Sequence, residues 1–231
     1  MLAAPVVGCD EREANGAEGV PGAGDARATQ DTQDVEGVEG VEGVEERVGR
    51  ILVVGTSLTA GPGIAPETAY PARLQQRIDA EGLPYRVVNA GVSGETSAGA
   101  LRRLDWLLRE PADVVIVETG ANDMLRGLNP DSTRANLDAI LRRLRGAEPE
   151  PTVLLVPMLA APSLGREYVR EFEAIYPDLA ERHGVELLPF LLEGVAGEPE
   201  LNLPDGIHPN PRGHERIADN LWPALRRVLV R

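Results

Sequence analysis

From residue 51 onward, short apolar runs alternate with longer segments of helical periodicity, and this alternation limits the possible folds more than any other feature. The strand-like runs occupy residues 51–55, 85–89, 113–118, 152–157 and 185–188. The helical patterns lie at residues 71–80, 98–109, 132–145, 167–183 and 213–230. Strands joined by helices of this length form right-handed crossovers and therefore a parallel sheet. The sequence predicts an α/β fold for residues 50–231, a three-layer α/β/α sandwich around a five-stranded parallel sheet.

Residues 1–49 differ sharply from this pattern. They contain 12 Asp and Glu against three Arg, a net charge of -9 out of the -14 of the whole chain, and few large apolar side chains. A Val-Glu-Gly repeat begins at Val35. Such a composition cannot bury enough apolar surface to offset the conformational entropy of the chain. We therefore predict a disordered acidic segment that acts as a tether.

The run that ends at Cys9 resembles the bacterial lipobox, in which a small residue precedes a cysteine that becomes lipidated. It reads Val6-Val7-Gly8-Cys9, but no basic region precedes it and its apolar part is short for an export signal. Two interpretations stay open. Either this is the remnant of a lipoprotein signal, with a start upstream and Cys9 as a membrane tether, or the resemblance is accidental. The first predicts a periplasmic or cell-envelope location, and the second leaves a cytoplasmic one.

Charge and cysteine content exclude several classes of function. A net charge of -14 without clustered basic residues argues against nucleic acid as a partner, because phosphate neutralisation requires such clusters. The single cysteine excludes an internal disulfide and a cysteine-built metal site. No run of 18 apolar residues is present to span a membrane. The sequence does not indicate the oligomeric state.

Polar residues cluster where the predicted strands end. Ser57 follows the first strand, a polar segment at 89–97 follows the second, Asn122 lies after the third, and Asp205 and His208 precede the last helix. The carboxyl ends of neighbouring parallel strands converge at one edge of the sheet, where α/β proteins bind their ligands. We therefore expect these residues to share one pocket.

The residue types in this set suit acyl transfer. A serine such as Ser57 is a poor nucleophile until a base such as His208 accepts its proton, and a carboxylate orients that base and stabilises its charged form. Asp205 lies three residues before His208, so its carboxylate can reach the Nδ1 atom of the imidazole. The backbone amides of Ser57 and Gly94 and the side-chain amide of Asn122 are candidate donors to an oxyanion.

Four blocks in this order resemble the SGNH hydrolases of the GDSL lipase/esterase superfamily, most closely the bacterial thioesterase I/arylesterase branch. They are Gly55-Thr56-Ser57-Leu58, Gly91-Val92-Ser93-Gly94-Glu95-Thr96-Ser97, Gly120-Ala121-Asn122-Asp123 and Asp205-Gly206-Ile207-His208-Pro209. Each block alone is a weak signal, because Gly-x-Ser, Asn-Asp and Asp-Gly are also common turn sequences. Together they cover residues 51 to about 228.

The resemblance implies a role for each of five residues and a flavodoxin-like sheet. Ser57 would be the nucleophile, His208 the base, Asp205 its orienting partner, and Gly94 and Asn122 donors to the oxyanion hole. The reaction would need no metal and no cofactor. Thr56 is a departure, because the family usually has aspartate at this position, and we expect its hydroxyl to cap the same turn.

Other polar residues are expected to lie outside the site. We predict that His183 occupies a helix C-terminus before Gly184 and that His214 lies on the surface at the start of the last helix. The pairs at 102–103 and 142–143, all arginine, are expected on solvated helix faces.

The loop after the fourth strand indicates the substrate class. Residues 151–165 carry no charged side chain, and the apolar loop from Pro157 to Gly165 follows a strand end. We expect this loop to line an acyl groove for a small-molecule ester, thioester or lysophospholipid. One alternative is a carbohydrate O-acetyl esterase, which the low aromatic content of 3% disfavours. Another is a lipid-anchored binding protein with a weakened catalytic site, which the departure at Thr56 suggests.

Overall fold

The structure, a computed structural model, describes residues 48–231. The predicted acidic segment, including Cys9, lies outside the described residues except for Val48 and Gly49. No helix within residues 48–231 is both long enough and apolar enough to cross a bilayer.

The described chain contains a five-stranded, fully parallel sheet, as predicted. The strand order is β2-β1-β3-β4-β5, so β1 lies inside the sheet between β2 and β3. The five strands are β1 (Gly49–Gly55), β2 (Tyr85–Gly91), β3 (Val114–Glu118), β4 (Thr152–Val156) and β5 (Glu186–Leu187).

The long predicted helices are present, with one interruption. The segment predicted as one helix over residues 167–183 is two helices that meet at Ala174. Two short helices were not predicted, because four or five residues are too few to show a helical period. The α-helices of residues 48–231 are α1 (Ser57–Ala60), α2 (Tyr70–Ala80), α3 (Ser97–Leu107), α4 (Ala121–Leu125), α5 (Pro130–Arg145), α6 (Arg166–Glu173), α7 (Ile175–His183) and α8 (Pro211–Leu229).

Helices cover both faces of the sheet, which confirms the three-layer α/β/α fold. Every residue of β1 and β3 is buried, as expected for inner strands of a parallel sheet with two covered faces. Helix α2 packs against α8, and α5 packs against α3 and α7. The continuous apolar runs in the sequence are therefore the sheet core.

The three strands that carry site segments end side by side. Gly55 at the end of β1 pairs with Gly91 at the end of β2, and Val54 pairs with Val117 of β3. Gly91 permits this arrangement, because a Cβ atom there would overlap the backbone of Ala60 in α1. The segments that follow β1, β2 and β3 are therefore brought to one edge of the sheet.

Candidate active site

Ser57, His208 and Asp205 form one chain of hydrogen-bonding atoms. The Nε2 atom of His208 lies 3.0 Å from the Oγ atom of Ser57, although 151 positions separate the two residues. On the other side of the ring, His208 Nδ1 lies 2.7 Å from Asp205 Oδ2. These distances are those of a nucleophile, a base and an orienting carboxylate.

Asp205 is held as a carboxylate by the turn that it begins. Its Oδ1 atom accepts hydrogen bonds from the backbone amides of Ile207, at 2.9 Å, and His208, at 3.0 Å. The bond from the His208 amide, followed by that from the His208 ring, lowers the pKa of Asp205 to about 2. Ionised Asp205 accepts the Nδ1 proton of His208, so the Nε2 atom is free to accept a proton from Ser57.

The loop that carries His208 is anchored to the body of the domain. The amide of Leu203 donates to the carbonyl of His208 at 2.7 Å, and Asn202 pairs with Pro209 in an isolated antiparallel bridge. The Asn202 side chain is buried and donates to the carbonyls of Val195 and Glu198. These bonds fix the loop at both ends, so His208 is placed by the tertiary structure and not by its local sequence.

The loop after β2 brings Gly94 beside Asn122. Gly94 has a φ of +76°, a conformation that favours glycine, and its carbonyl accepts a 2.7 Å hydrogen bond from Arg126. The Nδ2 atom of Asn122 donates to the carbonyl of Glu95 at 3.0 Å. That bond uses one of the two amide protons of Asn122 and leaves the other for a ligand. Ser57, Gly94 and Asn122 line one cavity, as the sequence predicted.

Asp123 has a structural role that differs from a simple turn. Its buried carboxylate accepts hydrogen bonds from the amide of Ser97, at 2.8 Å, and from the Ser97 hydroxyl, at 2.5 Å. The carboxylate thereby joins α4, which carries Asn122, to the start of α3. Asn122 therefore contributes its amide to the cavity wall, while the neighbouring Asp123 links two helices through buried hydrogen bonds.

The cavity beside Ser57 and His208 is largely apolar. It has a volume of about 420 Å³. Met158 and Leu159, from the loop predicted to line an acyl groove, contribute to its wall. Its other apolar side chains are Leu58, Pro62, Ala121, Met124, Leu125, Phe190, Leu192 and Ile207. Within residues 48–231, the only charged or titratable side chain in the wall is that of His208.

Two expectations about residues outside the site were wrong. His214 is buried, not on the surface: its Nδ1 atom accepts a 3.1 Å hydrogen bond from the amide of Tyr70, and its ring stacks on that tyrosine. Arg103 is not on a solvated face, because it pairs with Glu95 and donates to the carbonyl of Gly55. Both contacts join segments more than seven residues apart, so local sequence did not reveal them.

The other expectations of this kind agree with the structure. His183 ends α7 before Gly184, which has a left-handed conformation, and its Nε2 atom lies 2.8 Å from Asp138 of α5. Arg142 and Arg143 are exposed to solvent, over 67% and 46% of their side-chain surface. None of these residues lines the cavity.

Sequence reasoning overlooked a buried carboxylate directly behind Ser57. Glu118, the last residue of β3, accepts hydrogen bonds from Thr56 and Thr59, which flank Ser57. The hydroxyl of Thr56 also accepts from the amide of Leu58, so it caps the turn as expected. The available signal was an acidic residue at the end of a strand that is otherwise Val and Ile.

Residues 48–231 contain no group of three or more His, Cys, Asp or Glu side chains arranged to hold a metal ion.

Sequence and structural comparisons agree on the relatives of this chain. The model of the GDSL-like Lipase/Acylhydrolase family matches residues 53–216. The chain is 40% identical over 181 residues to esterase TesA of Pseudomonas aeruginosa, covering 78% of this chain and 89% of that protein. It is 40% identical over 175 residues to thioesterase 1/protease 1/lysophospholipase L1 of Escherichia coli K12, covering 75% and 81%. A crystal structure of TesA superposes with a TM-score of 0.74 at 39% identity, covering 78% of this chain and 99% of that one.

Proposed function

Because the chain belongs to the GDSL-like lipase/acylhydrolase family and is an ester hydrolase, we propose that Ser57 is its nucleophile, His208 its general base and Asp205 the carboxylate that orients the base. The observation that carries this assignment is the continuous chain of contacts from Asp205 through His208 to the Ser57 hydroxyl, at 2.7 and 3.0 Å. Ser57 and His208 lie at the wall of an apolar cavity, where an acyl chain can bind.

The first half of the reaction forms an acyl-enzyme. Ser57 Oγ attacks the carbonyl carbon of the substrate while its proton passes to His208 Nε2, and ionised Asp205 stabilises the resulting imidazolium. The carbonyl oxygen becomes an oxyanion, which the amides of Ser57 and Gly94 and the side chain of Asn122 stabilise. When the tetrahedral intermediate collapses, His208 returns its proton to the leaving alcohol or thiol.

The second half releases the acid. A water molecule attacks the acyl carbon as His208 takes one of its protons, and the same donors stabilise the second oxyanion. Collapse of this intermediate breaks the bond to Ser57 Oγ, which recovers the proton from His208. The net reaction consumes one water and yields a carboxylic acid and an alcohol or thiol.

The cavity supports an acyl ester, an acyl thioester or a lysophospholipid as the substrate. Its wall is apolar around the attacking hydroxyl, and the described residues contribute no Asp, Glu or Arg side chain to it. Exposed Leu125, Leu159 and Ile207 lie at its rim and extend the apolar surface towards solvent. A surface of this kind favours a flexible acyl chain over a sugar, which needs polar partners.

Acyl-chain selectivity provides the test. Hydrolysis of p-nitrophenyl acetate, butyrate and octanoate and of palmitoyl-CoA is measured with the full chain and with Ser57→Ala. We expect turnover that depends on Ser57 and that increases from acetate to octanoate. Rates that peak at acetate and vanish beyond butyrate would favour the O-acetyl esterase instead. Folded protein that neither turns over nor labels with a fluorophosphonate at Ser57 would favour a binding protein.

A cell-envelope location with Cys9 as a membrane tether is part of the same proposal. It is supported by the Val6-Val7-Gly8-Cys9 run followed by an acidic segment. Metabolic labelling with a fatty-acid analogue, with Cys9→Ser as the matched control, tests it. Label that enters the wild-type chain and not the variant is the expected result, and absence of label from both would remove the tether.

A further inference from the structure

Glu118 touches both sides of the turn that carries Ser57. Its Oε2 atom accepts hydrogen bonds from the amide of Thr56, at 2.8 Å, and from the hydroxyl of Thr59, at 2.7 Å. Its Oε1 atom accepts from the hydroxyl of Thr56 at 2.9 Å. One carboxylate from β3 thus binds three donors in the five residues that contain Ser57.

The surroundings of Glu118 make this contact unusual. The side chain is fully buried, and within residues 48–231 no arginine or histidine forms an ion pair with it. The titratable groups that face it are the phenols of Tyr70, on α2, and Tyr176, on α7; burial raises the pKa of both, so they stay neutral. Burial also raises the pKa of Glu118 to about 7, although its hydrogen bonds act in the opposite direction.

The sequence around Ser57 is adapted to this carboxylate. A Cβ atom at Gly55 would overlap the side chain of Thr59 and approach Glu118 Oε2 to 2.7 Å, so glycine leaves the space that the acid fills. Thr56 and Thr59 supply hydroxyl donors at the two positions that face it. The Gly-Thr-Ser-Leu-Thr run therefore presents Ser57 to the cavity and two hydroxyls to the buried acid.

We propose that Glu118 is a positioning residue for the nucleophile: by accepting hydrogen bonds from Thr56 and Thr59, it holds the turn so that the Ser57 hydroxyl stays at His208. This inference rests on Ser57 as the nucleophile. Thr56 matters to it because its hydroxyl donates to Glu118 at 2.9 Å.

The directions of the hydrogen bonds show which form of Glu118 holds the turn. The Thr56 hydroxyl accepts from the Leu58 amide and therefore donates to Glu118. The Thr59 hydroxyl donates to Glu118 and can accept from the Tyr70 hydroxyl, 2.7 Å away. Ionised Glu118 only accepts, which satisfies every donor. Protonated Glu118 must donate through one oxygen, so the threonine hydroxyl that faces this oxygen has to reverse its bond and loses the acceptor for its own proton.

The pH dependence of kcat/KM is the measurement that separates positioning from a passive structural role. A single protonation event lowers log kcat/KM with unit slope as the pH falls; protonation of Glu118 adds a further event near neutral pH. We expect wild-type protein to show an acid limb steeper than unit slope below pH 7. Because glutamine resembles the protonated acid, Glu118→Gln should show unit slope throughout.

Glu118→Gln should also lower kcat by about 10- to 100-fold at pH 8 and change KM by less than about threefold, because the cavity wall does not include Glu118. Asp138→Asn is the matched control. Asp138 is a partly buried acid that pairs with His183 away from the cavity, so the variant should lose stability without a change in kcat or in the slope of the acid limb. An unchanged kcat and slope in Glu118→Gln would overturn the proposal.

A second series keeps the test informative if Glu118→Gln does not fold. Thr56→Val removes the hydroxyl with little change of shape, and Thr56→Ser retains it. We expect Thr56→Val to lower kcat and Thr56→Ser to stay within about threefold of wild type. In the Thr56→Val/Glu118→Gln double variant, the fold-loss in kcat should be smaller than the product of the two single-variant losses, because both substitutions remove the same contact. Equal activity of Thr56→Val and Thr56→Ser would contradict the positioning role of Glu118. The assignment of Ser57 as the nucleophile is tested separately, by fluorophosphonate labelling that is lost only in Ser57→Ala.

Discussion

Arg103 forms a bidentate ion pair with Glu95, and this pair joins two segments of the candidate site. The Nε atom of Arg103 lies 2.8 Å from both carboxylate oxygens of Glu95, and a terminal nitrogen lies 2.6 Å from Oε2. The same guanidinium donates to the carbonyl of Gly55, at the end of β1. Glu95 follows Gly94 directly, so the pair links the loop that carries Gly94 to the end of β1, two residues before Ser57.

The first prediction concerns removal of this guanidinium. Arg103→Ala leaves the Glu95 carboxylate, only 10% exposed, without its partner. We expect a loss of about 3 kcal/mol in the free energy of unfolding and a lower kcat, because an unpaired buried charge is strongly destabilising. Arg143→Ala removes an exposed arginine that pairs with Asp105, so it should change stability by less than about 1 kcal/mol. Urea unfolding of the three proteins decides, and equal losses in both variants would contradict the role of the pair.

The second prediction concerns Asn122 as an oxyanion donor. Asn122→Ala should lower kcat by about 10²–10³-fold with little effect on KM, because the amide acts on charge that develops in the transition state. Asn220→Ala is the control, since Asn220 also donates its amide to a backbone carbonyl, that of Glu193, but lies outside the cavity wall. Steady-state kinetics with p-nitrophenyl butyrate measures both. Turnover unchanged in Asn122→Ala would remove Asn122 from the oxyanion hole.

The third prediction compares the base with the residue that orients it. Asp205→Asn should reduce kcat about 10- to 100-fold less than His208→Ala, because Asp205 orients the imidazole without taking the proton. The pKa of Asp205, lowered to about 2 by the amide and ring of His208, keeps this carboxylate ionised at pH 4 and above. Activity lost between pH 6 and pH 4 should therefore not reflect protonation of Asp205. A larger loss in Asp205→Asn than in His208→Ala would contradict this division of roles.

The fourth prediction concerns buried His214 and acid stability. Burial, with a smaller effect of charge on His208, lowers the pKa of His214 from 6.5 to about 4. The unfolded chain therefore binds a proton at a higher pH than the folded chain, so the contribution to stability is complete above pH 6.5 and is lost as the pH falls towards 4. In His214→Asn, whose Oδ1 atom can accept from the Tyr70 amide, this loss should be absent. Urea midpoints of wild type and variant at pH 7.5 and pH 4.5 test it, and an equal drop in both proteins would be the contrary result.

Local sequence predicted the fold well because the inner strands β1 and β3 are buried on both faces. Each of these strands is a short apolar run, and the crossover helices carry a clear apolar period. The predicted strand at 51–55 starts two residues later than the structural one, since Gly49 and Arg50 also belong to β1. The break at Ala174 between α6 and α7 was missed, although Pro177 lies in the first turn of α7, where proline is tolerated at a helix start.

The candidate site was predicted to a different depth in each of its parts. Ser57, Asp205 and His208 were found because they lie in short motifs, and Asp205 and His208 are close enough in sequence for their geometry to be inferred. Glu118 was overlooked, and Arg103 was wrongly expected on a solvated helix face, because partners of these residues lie up to 62 residues away in the sequence. Their function depends on distances that only the packed chain defines.

The amino-acid sequence by itself determined the alternation of strands and helices, the strand ends that carry polar residues, and the family to which the chain belongs. These properties follow from local patterns of roughly two to twenty residues, which do not depend on contacts with distant segments. The tertiary structure decided which polar groups are buried and which partners they have. It placed His214 in the interior and a lone carboxylate behind Ser57, because burial and hydrogen bonding depend on neighbours contributed by distant segments.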